Sequence, residues 1–285
     1  MVTSSFSCII NIALRFSVHI ERNKNIIKKT TKTNTEYYNK LYGHRNPLLH
    51  WLHGRISFDQ QSKTKLNRKL LMPIINSFIK DMDKVRVLDY GCGWGTFLLS
   101  LPRNKILVYG FDIIKNTIKT LEKTMQLFGR QLFCIEINED AEISPNGFDI
   151  ILCSHVLEHV ENDLELLLSL KKALKPTGYL LINVPINEVW EDPKHFHNYD
   201  VKILTEQIKN IGMNVISIKE EDRWSGFLLR RQMTNNLGKI SYIVLRIFRS
   251  FLAVMPLKFI QWSERQLLKK DVPQQLLILA SNNYG

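Results

Sequence analysis

Asp89, Gly91, Gly93 and Gly95 form the pattern D-x-G-x-G-x-G, and a second acid, Asp112, follows 17 residues after the last glycine. Glycine lacks a Cβ and adopts positive φ, so such a loop can bring backbone amides close to a ligand. A carboxylate just before it repels phosphate and suits an ammonium group, while an acid at the position of Asp112 can accept hydrogen bonds from a ribose diol. Farther along, VPINEVWEDPKHFHNYD (184–200) carries two imidazoles, His195 and His197, in a stretch broken by Pro185 and Pro193. Imidazole changes charge near neutrality and can take a proton from a hydroxyl. His195 is the first candidate for a general base and His197 the second. For each, the alternative is a hydrogen bond to the loop backbone or exposure to solvent.

These residues must be placed by the elements around them. From residue 84 onward, short apolar runs alternate with segments of helical period. The runs are 85–90, 105–112, 131–137, 148–154, 178–184, 214–218 and 275–280. Amphipathic stretches at 116–129, 162–178 and 200–212 lie between them, each ending at or near glycine. This is a β-α-β series and predicts an α/β fold, a doubly wound, Rossmann-like sheet that is mostly parallel and covered on both faces. In such a sheet the ligand lies beyond the carboxyl ends of the strands, where the strand order reverses. The glycine loop follows the first strand and the histidine loop follows the fifth, so both belong at that edge.

A dinucleotide site would show G-x-G-x-x-G, with a glycine approaching a pyrophosphate. Here the third glycine comes one residue early and Asp89 precedes the loop. A ligand with a ribose, a positive amino-acid end and no phosphate is S-adenosylmethionine. The glycines can alternatively serve only to tighten a strand-to-helix turn.

With these residues in view, the sequence resembles the class I S-adenosylmethionine-dependent methyltransferases, specifically the broad bacterial group of small-molecule and glycan methyltransferase domains. VLDYGCGWG (87–95) resembles the family's first motif and FD (111–112) its ribose motif. EDAEISPNGFDIILCSHVLEHVEN (139–162) and LKKALKPTGYLLINVP (170–185) are similar to two later stretches. The resemblance covers roughly residues 80–222 plus the final strand. It implies a seven-stranded sheet with an antiparallel seventh strand, and a cofactor site of Asp89, Gly91, Cys92, Gly93, Gly95, Asp112 and Ile113. It further implies Asp140 and Ala141 at the adenine, Asp140 alternatively being a turn or helix cap, and Ser154, His155 and Val156 beside the cofactor. Glu158 and His159, just after the fourth strand, read as braces for the neighbouring helix, with proton chemistry the alternative. The histidine stretch resembles a D-P-x-H loop of methyltransferases acting on saccharides and small hydroxylated substrates.

The flanks differ from the middle. Residues 1–80 carry 14 Lys/Arg against 3 Asp/Glu, residues 81–222 carry 15 against 22, and residues 223–285 carry 10 against 2. Basic arms around an acidic centre suit an anionic partner, or are solvated basic faces. Residues 1–80 read as a basic helical extension, with TEYYNKLYGHRNPLLHWLHGRISF (35–58) either a lid over the site or helix packed on the core. Residues 81–285 read as the methyltransferase domain, with a helical insertion at 223–272 before the last strand. Within it, 239–270 is apolar but interrupted by Arg246, Arg249 and Lys258 and broken at Pro256, which suits an anionic membrane surface or burial on the domain, not a span. Cys8, Cys92, Cys134 and Cys153 have no C-x-x-C spacing, so neither disulfides nor a metal site are expected. A cytoplasmic enzyme is expected, peripheral to membrane as an option. Its acceptor is a hydroxyl on a sugar, lipid-linked glycan or similar metabolite; alternatives are a quinone-type lipid, RNA, or a non-catalytic cofactor-binding partner subunit. No RNA-recognition module is present to favour nucleic acid.

Overall fold

The computed structural model describes residues 46–134, 147–189, 192–234 and 239–282. In chain order these form α1 (Pro47–Ile56), α2 (Phe58–Asp81), β1 (Val85–Tyr90), α3 (Thr96–Ser100), β2 (Ile106–Phe111), α4 (Lys115–Leu127) and β3 (Leu132–Cys134). There follow β4 (Phe148–Ser154), a single 3₁₀ turn (Leu157–His159), α5 (Asp163–Ala173), β5 (Leu174–Pro185), α6 (Val201–Asn210) and β6 (Asn214–Glu221). The insertion supplies α7 (Arg223–Thr234), α8 (Lys239–Val254) and α9 (Leu257–Leu267) before β7 (Gln275–Ser281).

The seven strands make one sheet in the order β3-β2-β1-β4-β5-β7-β6. β1 lies parallel between β2 and β4, and β4 parallel to β5. β7 runs antiparallel between β5 and β6, the exception implied by the resemblance. The order reverses at β1 and β4, which sets a crevice beyond their carboxyl ends.

Apolar residues reach both faces because the parallel strands are sandwiched. Leu88, Ile151 and Ile182 pack with Leu167 and Leu170 of α5 and Leu204 and Ile208 of α6. Val87, Ile150 and Leu181 pack on the other side with Leu121 and Met125 of α4 and with Leu66, Leu71 and Ile75 of α2. Leu71 and Ile75 are fully buried, so α2 is part of the wall of the domain. A third cluster joins Phe58 at the start of α2 to Trp224, Leu252, Ala253 and Ile260 of the insertion.

Most helix limits follow local chemistry. Asp200 accepts from the amide of Ile203 and caps α6, Asn162 caps α5 through Glu165, and Asn46 caps α1 ahead of Pro47. The stretch 162–178 does not stay helical to its glycine. The helix stops at Ala173 and β5 begins at Leu174, since Pro176 disfavours helical backbone in the residue before it.

A chain of buried polar side chains crosses from α2 to the sheet edge. Asn67 donates to Ser154 Oγ (3.3 Å), and Asn183 Nδ2 donates to both Asn67 Oδ1 and Gln275 Oε1 (3.0 Å each). Gln275 in turn donates to Asp222 Oδ2 (2.5 Å), which also accepts from Ser62 Oγ (2.7 Å). Among the described residues, no helix is long and apolar enough to cross a membrane.

Candidate functional site

The glycine loop leaves β1 with all three glycines at positive φ: Gly91 at 76°, Gly93 at 46° and Gly95 at 61°. The amides of Gly91 and Cys92 both donate to Phe111 O (2.8 and 2.9 Å), binding the loop to the end of β2. A Cβ at Gly91 would sit 2.1 Å from Val156 Cγ2, and one at Gly95 would sit 2.3 Å from Leu121. These two glycines serve packing. At Gly93 a Cβ would meet nothing within 4 Å, so the loop presents bare backbone to open space there.

Asp112 secures that backbone. Its Oδ2 accepts from Gly93 N (2.8 Å) and its Oδ1 from Ile114 N (2.9 Å). A carboxylate offers about four acceptor positions, so two remain for a ligand's hydroxyls. Ile113 beside it is about half exposed. Asp89 is buried, and burial and the nearby Asp112 push its carboxyl up to about 8. The adjoining thiols of Cys92 and Cys153 are themselves pushed up by burial and by Asp89. A positively charged group arriving here would relieve the carboxyl pair.

Ser154, His155 and Val156 leave β4 alongside this loop. Ser154 accepts from Asn67, Val156 packs over Gly91, and His155 takes φ 55°, with its amide donating to Asn183 O (2.7 Å). Asp140 and Ala141 lie outside the described residues. Trp94 is held between two histidines of α1: its ring stacks on His53 (4.3 Å) and tilts against His50 (4.7 Å), whose Nε2 lies 2.9 Å from Trp94 O. Nothing in the aromatic stretch singled these histidines out, although their i, i+3 spacing puts both on one helix face.

Across the mouth, the loop after β5 is folded by its own hydrogen bonds, with Lys194 N donating to Asp192 Oδ1 (3.0 Å) and His195 N to Asp192 O (2.9 Å). Phe196 N donates to Glu158 O (2.7 Å), which docks the loop on the 3₁₀ turn. His195 Nδ1 lies 2.8 Å from Glu188 Oε1. The carboxylate can only accept, so Nδ1 carries the proton and Nε2 is the basic nitrogen. His159 lies edge-on to His195, ring centroids 4.7 Å apart, and its Nδ1 faces Lys194 O at 3.3 Å. His197 is placed differently. Its Nε2 donates to the carbonyls of Val160 and Glu161 (3.0 and 3.1 Å), so that nitrogen braces the loop.

Glu158 is almost wholly buried, and its Oε2 has no hydrogen-bond partner. Burial raises its carboxyl, opposed in part by the charge of Lys63 on α2. Burial likewise depresses His155 strongly, and His159 to about 4. Both imidazoles are therefore neutral at physiological pH.

Residues 58–235 match a family described as "Methyltransferase domain". Curated relatives include the Ubiquinone biosynthesis O-methyltransferase of Rickettsia conorii, 26% identical over 164 residues that cover 55% of this chain and 56% of that protein. The Vibrio cholerae protein of the same name is 32% identical over 100 residues, covering 34% and 41%. The matched region thus spans about half the length of these relatives. Similar solved structures include a putative sarcosine dimethylglycine methyltransferase from Galdieria sulphuraria (TM-score 0.52, 14% identity, 76% of this chain and 85% of that one). Another is the cyclase SpnF (TM-score 0.51, 16% identity, 75% and 80%). At such identities the likeness is one of fold alone.

The glycine geometry separates two substitutions. Gly91→Ala combines positive φ with a collision against Val156 and should lower unfolding free energy by about 2 kcal/mol or more, whereas Gly93→Ala carries only the left-handed cost of roughly 1–2 kcal/mol. Denaturant titration measures both. Equal losses at the two positions would contradict this division of roles.

Proposed function

The chain belongs to the methyltransferase-domain family, its domain being of the class I S-adenosylmethionine-dependent type, and from that premise we propose that it transfers the methyl group of S-adenosylmethionine to a hydroxyl oxygen. The observation that carries this reading is the buried Asp89, beside Asp112 and behind the open backbone at Gly93. That arrangement fits a ligand whose amino-acid end is an ammonium and which brings no phosphate. Asp112 would hold the ribose hydroxyls, and Gly91, Cys92, Gly93, Gly95, Ile113, Ser154, His155 and Val156 would form the rest of the cradle, with Asp140 and Ala141 retained from the resemblance for the adenine.

When bound, S-adenosylmethionine supplies an electrophilic methyl group on a sulfonium. Transfer would join that methyl to the acceptor oxygen, leave the C–S electron pair on sulfur, and pass the hydroxyl proton to the basic Nε2 of His195. The protein aligns the acceptor with that methyl and activates its oxygen. His195, with Nε2 fixed by Glu188, is the residue through which the oxygen is activated, and His197 braces its loop. The acceptor is a hydroxyl on a sugar, lipid-linked glycan or hydroxylated metabolite. A quinone-type ring is the second reading, favoured by the similarity to ubiquinone biosynthesis O-methyltransferases.

We further propose contact with anionic membrane through the insertion. On α8, Ile243, Val244, Ile247, Phe251 and Val254 are exposed on the outer side of a helix whose Leu252 and Ala253 are buried. Arg246 is exposed on the same helix and Lys258 is exposed at the start of α9, while Arg249 is occupied by Asp59 (2.7 Å). An apolar face with basic residues beside it suits an anionic bilayer surface.

Three outcomes are expected. The unliganded fold keeps Asp89 protonated below about pH 8, and an ammonium ligand must displace that proton. Calorimetric affinity for S-adenosylmethionine should therefore rise with pH by up to tenfold per unit and level off near 8. Asp89→Asn should flatten this profile and weaken binding by about 1–3 kcal/mol. Binding of NAD with no affinity for S-adenosylmethionine or S-adenosylhomocysteine would reject the cofactor assignment. Secondly, His195→Ala should lower turnover on a hydroxyl acceptor by roughly 100-fold or more, with cofactor affinity unchanged; undiminished turnover would remove it from the chemistry. Thirdly, the protein should sediment with anionic vesicles at low salt and lose that association at high salt. Ile247→Asp with Phe251→Asp should abolish it, and equal recovery in the supernatant with anionic and neutral vesicles would leave the insertion as packed structure.

A further inference from the structure

Glu158, His159 and His195 come from two separate segments, the 3₁₀ turn after β4 and the loop after β5. Each offers a ligand atom, and these atoms all lie within 4.8 Å of one another. Glu158 Oε1 is 4.0 Å from His159 Nε2. Ligands sharing one ion at about 2.0–2.2 Å stand roughly 3–3.5 Å apart, so closing on an ion needs only small side-chain movements.

Both imidazoles are oriented as ligands require. His195 donates Nδ1–H to Glu188 Oε1 at 2.8 Å, and His159 Nδ1 faces the carbonyl of Lys194 at 3.3 Å. A nitrogen that faces a carboxylate or carbonyl must be the protonated one, which makes Nε2 the basic nitrogen of each ring. A histidine whose far nitrogen is held by a carboxylate or carbonyl is the usual arrangement behind a metal ligand. Independently, Glu158 is 1% exposed and its Oε2 has no partner, a buried acceptor that nothing in the described structure satisfies. The charges around it include Glu188 and Asp192 against Lys63. The cluster therefore has an excess of carboxylates that a cation would offset. The loop that carries His195 is already fixed, through Phe196 N on Glu158 O and through the turn at Asp192.

We propose that Glu158, His159 and His195 form a binding site for a divalent first-row transition-metal ion. Two imidazoles and one carboxylate are the donor set that suits zinc, cobalt or iron(II) with positions left open, and they are a poor match for calcium or magnesium, which take oxygen ligands. As a binding site it stands on geometry alone. Its role rests on the methyl-transfer reading: an ion here would hold the acceptor's oxygen in an open position and ease loss of the hydroxyl proton to water. The activation assigned to His195 then runs through the ion, with Nε2 as ligand and not as proton acceptor.

The test is a titration of tag-free, chelator-treated full-length chain with Co²⁺ in the absence of cofactor and acceptor, followed by visible absorption, with Zn²⁺ as competitor. A saturable d–d band at one equivalent, abolished by Zn²⁺, is expected. Glu158→Gln, His159→Asn and His195→Ala should each weaken Co²⁺ binding at least about 100-fold. Glu188→Gln, which only orients His195, should weaken it about 10- to 100-fold. Circular dichroism identifies any variant that fails to fold, and the wild-type titration does not depend on the variants. A wild-type chain giving no band at millimolar Co²⁺ overturns the proposal, as does undiminished binding by folded Glu158→Gln and His195→Ala. Because no cofactor is present, either result leaves the S-adenosylmethionine calorimetry as an independent test of methyl transfer.

Discussion

The buried polar chain from Ser154 through Asn67, Asn183, Gln275 and Asp222 to Ser62 sets the geometry of everything at the carboxyl edge of the sheet. Apolar packing fixes how deep α2 sits, but it tolerates sliding. Directional hydrogen bonds among groups removed from water do not, because each mismatch would leave a donor or acceptor unsatisfied at a cost of about 1–3 kcal/mol. Asn183 is central, since it lies on β5 and bonds to α2 on one side and β7 on the other. Ser154, at the other end, starts the segment that presents His155 and Val156 to the glycine loop. The register of α2 and the shape of the site are thus one constraint. The arrangement is close to its limit, as Asn183 Oδ1 itself has no partner.

Two opposite parts of the crevice share an electrostatic character. Buried Asp89 stands beside Asp112, and buried Glu158 feels the charges of Glu188 and Asp192 against that of Lys63. Unpaired acids in a protein interior are expensive and mark places where a positive ligand completes the structure. On the cofactor side the complement is an ammonium group. On the acceptor side, the imidazoles of His159 and His195 stand beside the acids, which suits a metal ion better than an organic cation.

The sequence made the frame of this crevice legible because apolar runs and glycine spacing are local signals. All seven strands were visible, the first six runs leading to β1–β6 and the run at 275–280 to β7, and the glycine loop and Asp112 meet as their spacing implied. Residues joined by tertiary contact were harder to read. His50 and His53 looked like part of an aromatic extension, and only the fold shows them gripping Trp94. His195 and His197 stood as first and second candidates for one role, and only the fold shows that Glu188 faces the one and the Val160 carbonyl the other. Glu158 read as a brace, and its backbone does dock the histidine loop; that its carboxyl is isolated beside two imidazoles depends on a segment nearly 40 residues away. Asp140 and Ala141 fall outside the described residues, so the adenine end rests on resemblance.

The antiparallel β7 has a consequence for how the chain reaches its folded state. This strand is an interior strand of the sheet, with Leu276, Ile278 and Ala280 wholly buried, yet a ribosome makes it after every other strand. Until it emerges, β5 and β6 have no partner on their facing edges, and Asn183 lacks the acceptor that Gln275 provides. Pairing β5 with β7 spans about 90 residues, and such long-range contacts are slow to form because loop closure must precede their reward. The nascent protein therefore carries an open sheet edge until β7 has been made, a window in which strand-to-strand aggregation competes with folding. The helices of the insertion, synthesised just before β7, are in position to occupy that interval.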